Sequence, residues 1–234
     1  MRSTTAPVPQ PPAVRAARRR NVVVLAGVLL ALVAFLRLGT EMAEGETRAF
    51  DSWLLLALRH RDGIVPLGPM WLKSAMIDLT ALGGFAVLTL ATALAAGLAL
   101  ALRNWQRALF IIVAIGSGSA LSGLLKLDYA RPRPTIVAHL TGASSTSFPS
   151  GHAMTSAIVY LTLGVLGARA FAGPWARRYV LGVALLLTLV VGSTRVYLGV
   201  HWPTDVLAGW AAGGGWALLC WSVADWLRSR GAAL

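Results

Sequence analysis

The chain has 234 residues, of which 56% are hydrophobic and only 13% are charged, and its formal net charge is +12. A soluble domain carries about 25% charged residues, so this composition excludes a disordered protein, a coiled coil and most soluble enzymes. Excess positive charge on so apolar a chain indicates membrane orientation rather than nucleic-acid binding, and no nucleic-acid partner is predicted. The single cysteine, Cys220, excludes an intramolecular disulfide and a zinc site built on several thiolates.

The N-terminal segment, residues 1–21, is rich in Pro, Arg and small residues and predicts a disordered basic tail. Six apolar segments follow, each near the length of about 20 residues that a helix needs to cross the hydrocarbon. A signal peptide is the competing interpretation of the first segment, but this run is long for one and lacks a clear cleavage site before Glu41. The segments are 22–38, 79–102, 109–125, 153–171, 179–194 and 206–226.

These segments predict an all-α fold, a six-transmembrane helical bundle over residues 22–230 with a motif-bearing core at about 79–226. A chain of this length cannot surround six apolar helices with a soluble shell, so we expect an integral membrane protein. Between the first two spans, apolar residues mixed with charges are typical of two short interfacial helices. A connecting loop with apolar anchors is the alternative, and no catalytic residue is indicated there.

The basic residues are distributed unequally between the loops. With the N-terminus placed inside, the inner loops and tails collect most of the Arg residues and a single acid, Asp225, while the outer loops collect the other acids. Positive charge in short loops marks the cytoplasmic side. The pattern therefore predicts a multi-pass protein of the cell membrane with both termini in the cytoplasm.

Three polar clusters lie at ends of the apolar segments, and the six-span arrangement brings all three to the outer face. They are residues 126–134 (KLDYARPRP), 147–152 (SFPSGH) and 194–205 (TRVYLGVHWPTD). Lys126, Arg133 and Arg195 are cations from different helix ends, and an anion among them would offset their repulsion. Arginine forks suit phosphate oxygens. Ser150 and Gly151 open an apolar helix whose N–H groups form a phosphate cradle.

Two histidines add chemistry to this anion site. His201 and Asp205 are four residues apart, so at a helix start they can share a face and form a hydrogen bond. A carboxylate on one ring nitrogen fixes the tautomer and leaves the other nitrogen more nucleophilic. His152 remains as a general acid. Taken singly, each motif has a simpler interpretation, as interfacial anchors, helix N-caps or a hydrogen-bonding histidine.

Taken together, the clusters resemble the type 2 phosphatidic acid phosphatase (PAP2) superfamily, membrane branch, which shares its core with vanadium-dependent haloperoxidases. The family pattern is Lys, six residues, Arg-Pro; then Pro-Ser-Gly-His; then Ser-Arg, five residues, His, three residues, Asp. One position differs, because Thr194 stands where the family has Ser, which keeps a hydroxyl.

The resemblance implies a lipid phosphate phosphatase without metal or cofactor. His201 would attack phosphorus and form a phosphohistidine, Asp205 would orient His201, and His152 would protonate the leaving oxygen. The residues expected to bind the phosphoryl oxygens are Lys126, Arg133, Ser150, Gly151 and Arg195.

A site at the outer membrane edge suits a lipid substrate, either a monophosphate or a diphosphate. The candidates are phosphatidic acid, phosphatidylglycerol phosphate and polyprenyl diphosphates. A lipid phosphotransferase using the same site and a non-catalytic anion-binding membrane protein are the alternatives. The sequence indicates no oligomeric state.

Overall fold

The computed structural model describes residues 12–60, 64–143 and 145–229. Within these residues the chain is helical, without a regular β-strand. Its helices are α1 (Pro12–Glu44), α2 (Arg48–Ala57), α3 (Met70–Ala81), α4 (Phe85–Ala101), α5 (Trp105–Tyr129), α6 (Gly151–Ala168), α7 (Pro174–Tyr197) and α8 (Pro203–Ser229).

Five of the described helices, α1, α5, α6, α7 and α8, are long and apolar enough to cross a membrane alone. Helices α3 and α4 pass the same test as a pair bent by 47° at a short break. The described residues thus hold five spans, or six with the bent pair counted as one. The predicted all-α membrane bundle is confirmed, with five or six candidate spans where six were expected. Two short helices do follow the first span, but α3 belongs to the second span when the bent pair is counted as one.

Three predicted boundaries differ from the structure. The second span was expected from residue 79, but Leu79 lies in α3, and the straight helix begins only at Phe85, after Gly83 and Gly84. The fifth span begins at Pro174, before the expected residue 179, and it continues to Tyr197, as its short predicted length required.

The third difference concerns the predicted tail. Helix α1 begins at Pro12, so residues 12–21 are helical, while residues 1–11 lie outside the described residues. The sequence explains the early start, because Pro12 occupies a position that tolerates proline and the Ala- and Arg-rich run after it favours helix.

Helix α6 lies at the centre of the bundle, in contact with α5, α7 and α8, while α1 packs along α8. Its inward side chains, including Met154 and Ile158, are fully buried. Close approach of α8 depends on Gly209 and Gly213, because a Cβ at Gly213 would stand 2.4 Å from the carbonyl oxygen of Met154. Small residues are the usual means of close helix packing in lipid.

The alternating direction of the helices places the site. Helices α5 and α7 end, and α6 and α8 begin, at the same end of the bundle. All three sequence clusters therefore meet there. The break before α4 lies against this end as well, since a Cβ at Gly83 would stand 2.2 Å from Val191 and 3.2 Å from the ring of His152.

Candidate active site

The imidazole of His201 lies between a carboxylate and a guanidinium. Its side chain is almost fully buried, and Nδ1 stands 3.4 Å from Oδ2 of Asp205. On the opposite edge, Nη1 of Arg133 is 3.2 Å from Nε2. Because a guanidinium can only donate, Nε2 is the accepting nitrogen and Nδ1 carries the proton. This tautomer leaves the Nε2 lone pair on the side of the cations.

Asp205 is held by donors on both of its oxygens. Oδ2 accepts hydrogen bonds from the backbone N–H of Trp202, at 2.9 Å, and from the hydroxyl of Ser147. Oδ1 accepts from Nη1 of Arg131 at 2.5 Å. The oxygen of Ser147 also lies 3.3 Å from Nδ1 of His201. Ser147 donates to the carboxylate, so its oxygen is free to accept the Nδ1 proton and adds to the fixing of the tautomer.

Arg133 is fixed by the loops around the site. Its Nη1 donates to the carbonyl of Val200 at 2.5 Å, and its Nε donates to the carbonyl of Ser145 at 2.7 Å. These bonds aim the guanidinium at His201 without a carboxylate partner of its own among the described residues. Its positive charge is therefore available to an anion at Nε2.

Polar atoms without partners also mark the cradle at the start of α6. Ser150, the N-cap of α6, is fully buried, and its hydroxyl has no hydrogen-bond partner among the described residues. The same holds for Nε of Arg195, whose Nη1 donates to the hydroxyl of Thr80 at 2.9 Å. Buried polar groups are nearly always satisfied in proteins. These atoms therefore fit the oxygens of a bound phosphoryl group.

Lys126 closes the cradle at the end of α5. Its Nζ donates to the hydroxyl of Ser145 at 3.1 Å and to the carbonyl of Thr146 at 3.0 Å. A Cβ at Gly151 would stand 3.1 Å from Cε of Lys126. Glycine therefore keeps the ammonium beside the first N–H groups of α6, where the helix dipole adds positive potential.

His152 connects the cationic cradle to an apolar groove. It lies in the first turn of α6, close enough to interact electrostatically with Arg195, His201 and Lys126. It also lines an open cavity of about 900 Å³ between α4, α5 and α6. The rest of this lining is mainly apolar and includes Leu88, Ala96, Ile112, Ile115 and Val159. The groove can hold hydrocarbon chains next to a bound headgroup.

Burial controls the protonation of His201. It lowers the pKa of this imidazole from the ordinary 6.5 to about 4, although the hydrogen bond and charge of Asp205 raise it. Burial also lowers the pKa of Arg133, and Asp205 offsets part of that change. His201 is therefore neutral, with its Nε2 lone pair intact, throughout the physiological range.

The protonation of His201 predicts how kcat/KM falls at low pH, which is the acidic limb of the pH profile. The sequence predicts that His201 attacks phosphorus, which requires a neutral imidazole, so we expect activity to persist at pH 5–8 and to be lost as the pH falls through about 4. The measurement is kcat/KM against pH for two lipid phosphates whose phosphates ionise differently. A limb at the same pH for both substrates reports the titration of a group on the protein and not of the substrate phosphate. A shared limb near pH 6.5 would contradict the assignment.

All eight residues that the sequence singled out are thus at one end of the bundle. Sequence reasoning missed three more residues, Asp51, Thr80 and Ser147, whose side chains contact the site or its neighbours. For Arg131 it left a contact to the substrate headgroup or to solvent open, whereas the structure pairs Arg131 with Asp205 and Asp51. For Asp51 a signal was present, since it is in line with Leu55 and Leu58 on the apolar face of α2, where a carboxylate is out of place. No sequence signal assigned a role to Thr80 or Ser147.

The fold and the site define a multi-pass membrane protein with a buried, histidine-bearing cationic pocket. The model of the PAP2 superfamily matches residues 107–229. Phosphatidylglycerophosphatase B of Bacillus subtilis is 35% identical over 147 residues, which cover 61% of this chain and 70% of the relative. An undecaprenyl-diphosphatase of Sulfolobus acidocaldarius is 39% identical over 67 residues, 29% of this chain and 28% of that protein.

A solved structure agrees with these matches. The crystal structure of a transmembrane PAP2-type phosphatidylglycerolphosphate phosphatase from Bacillus subtilis has a TM-score of 0.69 and 27% identity, covering 87% of this chain and 96% of that one. The chain belongs to the PAP2 superfamily and is a membrane lipid phosphatase, as its resemblance indicated.

Proposed function

We propose that the protein removes phosphate from a membrane lipid through a phosphohistidine intermediate on His201. One observation carries this proposal: the neutral Nε2 of His201 faces the unpaired guanidinium of Arg133 at 3.2 Å, while Asp205 lies behind Nδ1. A phosphoryl group bound to that cation would present its phosphorus to the lone pair. Residues 22–230 would form the single catalytic domain.

In the first step, the Nε2 lone pair forms the bond to phosphorus as the bond from phosphorus to the lipid oxygen breaks. His152, at the mouth of the apolar groove, takes up a proton when the negatively charged phosphate binds beside it, and gives that proton to the leaving oxygen. Asp205 stabilises the positive imidazole that results. The groups proposed to bind the phosphoryl oxygens are Lys126, Arg133, Ser150, Gly151 and Arg195.

In the second step, water attacks the phosphohistidine and restores the free histidine. His152 is now deprotonated, so it takes a proton from the water as the bond between phosphorus and Nε2 breaks. Inorganic phosphate leaves, and both histidines return to their starting states. The same cations offset the charge on the equatorial oxygens in both steps.

The apolar groove supports a lipid substrate over a soluble one. It begins at His152 and continues along α4, where acyl or prenyl chains could lie while the headgroup occupies the cradle. Relatives named for phosphatidylglycerophosphate and undecaprenyl diphosphate favour these two lipids as first substrates to try. The distribution of Arg supports cytoplasmic termini and an extracytoplasmic site.

The test is phosphate release by the purified protein in liposomes. We expect release from at least one of phosphatidylglycerol phosphate, phosphatidic acid and undecaprenyl diphosphate. We expect much slower release from glycerol 3-phosphate, which has no chains to fill the groove. No release from any lipid, or faster release from the soluble compound, would refute the proposal.

Metal removal should leave this activity intact. Three cations, Lys126, Arg133 and Arg195, supply the positive charge that a metal ion would otherwise bring to the phosphoryl oxygens. We therefore expect EDTA to change the rate less than about twofold, and vanadate, a phosphate analogue, to inhibit in competition with substrate. Activity that EDTA abolishes and Mg²⁺ restores would contradict the proposed role of these cations.

A further inference from the structure

A buried carboxylate from outside the family match lies behind the site. Asp51 of α2 is fully buried, and its Oδ2 accepts a hydrogen bond from Nη2 of Arg131 at 2.8 Å. The other terminal nitrogen of Arg131 donates to Oδ1 of Asp205. One guanidinium thus joins two carboxylates, and its side chain is only 10% exposed.

Asp51 also holds the beginning of α8. Its Oδ1 accepts from the backbone N–H of Thr204 at 2.9 Å, and its Oδ2 accepts from the Thr204 hydroxyl at 2.7 Å. Thr204 directly precedes Asp205 in the first turn of that helix. The orientation of Asp205 towards His201 therefore depends on a residue about 150 positions earlier in the chain.

The charges of this group have a direct consequence for His201. Arg131 alone would neutralise Asp205 and weaken the support that the carboxylate gives to a positive imidazole. Asp51 balances Arg131, so the three side chains together keep one net negative charge. In a buried setting, where charges interact strongly, that charge acts mainly on His201, the neighbour of the other carboxylate oxygen.

We propose that Asp51 is a positioning residue of this active site, which fixes Asp205 through Arg131 and Thr204 and preserves its charge for His201. This inference rests on the proposed function. It gives α2 a role in the reaction, although α2 lies outside the residues that the family model matches.

Replacing Asp51 by Asn tests the charge while keeping the shape. Partners that support a reacting group at one remove typically contribute about 10- to 100-fold to activity, so we expect kcat to fall by that factor. KM should change little, because Asp51 does not face the cradle. Asp51→Glu, which keeps the charge, should restore part of the rate.

The pH profile separates this role from a merely structural one. With Asp51→Asn, Arg131 is no longer balanced, so the potential at His201 becomes more positive and its proton is held less tightly. The acidic limb of kcat/KM should therefore move to lower pH than in the wild type. A variant that only folded less well would lose rate, but the acidic limb of its kcat/KM would stay at the same pH as in the wild type. The charged and titratable groups facing His201 are Asp205, Arg133, Arg195 and His152.

The experiment compares wild type, Asp51→Asn, Asp51→Glu and Asp128→Asn in liposomes, with active protein counted by vanadate titration. Asp128, an exposed carboxylate at the end of α5, is the matched control and should leave rate and limb unchanged. If the wild type is active and Asp51→Asn has the same kcat, this inference alone is overturned. The same holds if the acidic limb of Asp51→Asn is not shifted from that of the wild type. An inactive wild type overturns the proposed function instead.

If Asp51→Asn fails to fold, the double variant Asp51→Asn with Arg131→Gln provides the second test. It removes both buried charges, so neither is left unpaired. We expect the double variant to fold and to retain more activity than Arg131→Gln alone, which leaves Asp51 buried without its cation. A double variant no more active than Arg131→Gln alone would contradict the coupling between Asp51 and Arg131.

Discussion

Replacing His201 by Ala is expected to lower phosphate release by a factor on the order of 10⁴ or more, the size of effect seen when a covalent nucleophile is removed. The side chain is nearly fully buried, with Arg133 on one ring nitrogen and Asp205 on the other. Nothing else among the described residues at this position can form the covalent bond to phosphorus. Rates with phosphatidylglycerol phosphate or undecaprenyl diphosphate are the measurement.

Two controls make the His201 result interpretable. His60→Ala removes an exposed histidine of the connection between α2 and α3, and it should leave the rate unchanged. Acid quenching during turnover should trap acid-labile phosphate on the wild-type protein but not on His201→Ala. A His201→Ala variant that is folded and keeps a near-normal rate would refute the nucleophile assignment.

The sequence was most informative where chemistry requires particular residues at fixed spacing. His201 and Asp205 are four residues apart, and this spacing predicted their contact, which forms although His201 lies two residues before α8 begins at Pro203. The meeting of Lys126, Ser150 and Arg195 followed from helix direction alone, since α5 and α7 end where α6 begins. The all-α membrane bundle could be predicted as well, because the apolar segments have the length that a membrane-spanning helix needs.

Contacts that depend on the path of loops could not be predicted in this way. Arg131 and Arg133 are two residues apart, yet one turns towards Asp51 and the other towards His201. The family pattern selected Arg133 by its spacing from Lys126, but helix geometry could not predict where either side chain points, because the loop after α5 has no regular period. The pairing of Asp51 with Thr204 likewise depends on how α2 docks against α8, and no local pattern encodes that docking.

The bend between α3 and α4 shows how tertiary packing overrides a hydropathy pattern. Residues 79–102 are mainly apolar, which predicted one span at about these bounds. The helix is interrupted at Gly83 and Gly84, and position 83 needs glycine because a side chain there would collide with Val191 and approach His152. The break brings Thr80 to the guanidinium of Arg195. A hydropathy average does not detect such a packing requirement, and the predicted boundary was wrong for this reason.

Arg133→Ala is expected to lower kcat/KM by about 10²- to 10³-fold, the loss typical of one preorganised donor to a developing anion. Its guanidinium stands 3.2 Å from the nitrogen that would attack, so it can contact a phosphoryl oxygen at the moment the bond forms. Arg133→Lys should recover only part of the loss, because an ammonium gives a point charge in place of a planar fork. Steady-state kinetics of the two variants measures both effects.

Vanadate binding then shows whether Arg133 acts on the phosphoryl group or only on the local fold. Both variants should bind vanadate more weakly than the wild type, and Ala more weakly than Lys, because vanadate would occupy the same cradle. Arg48→Gln, which removes an exposed cation at the start of α2, serves as the control and should leave vanadate inhibition unchanged. If Arg133→Ala retained wild-type vanadate affinity, the loss of rate would have to come from the carbonyl contacts to Val200 and Ser145, which orient the loops around His201. Arg133 would then be a structural residue, and phosphoryl binding would fall to Lys126 and Arg195.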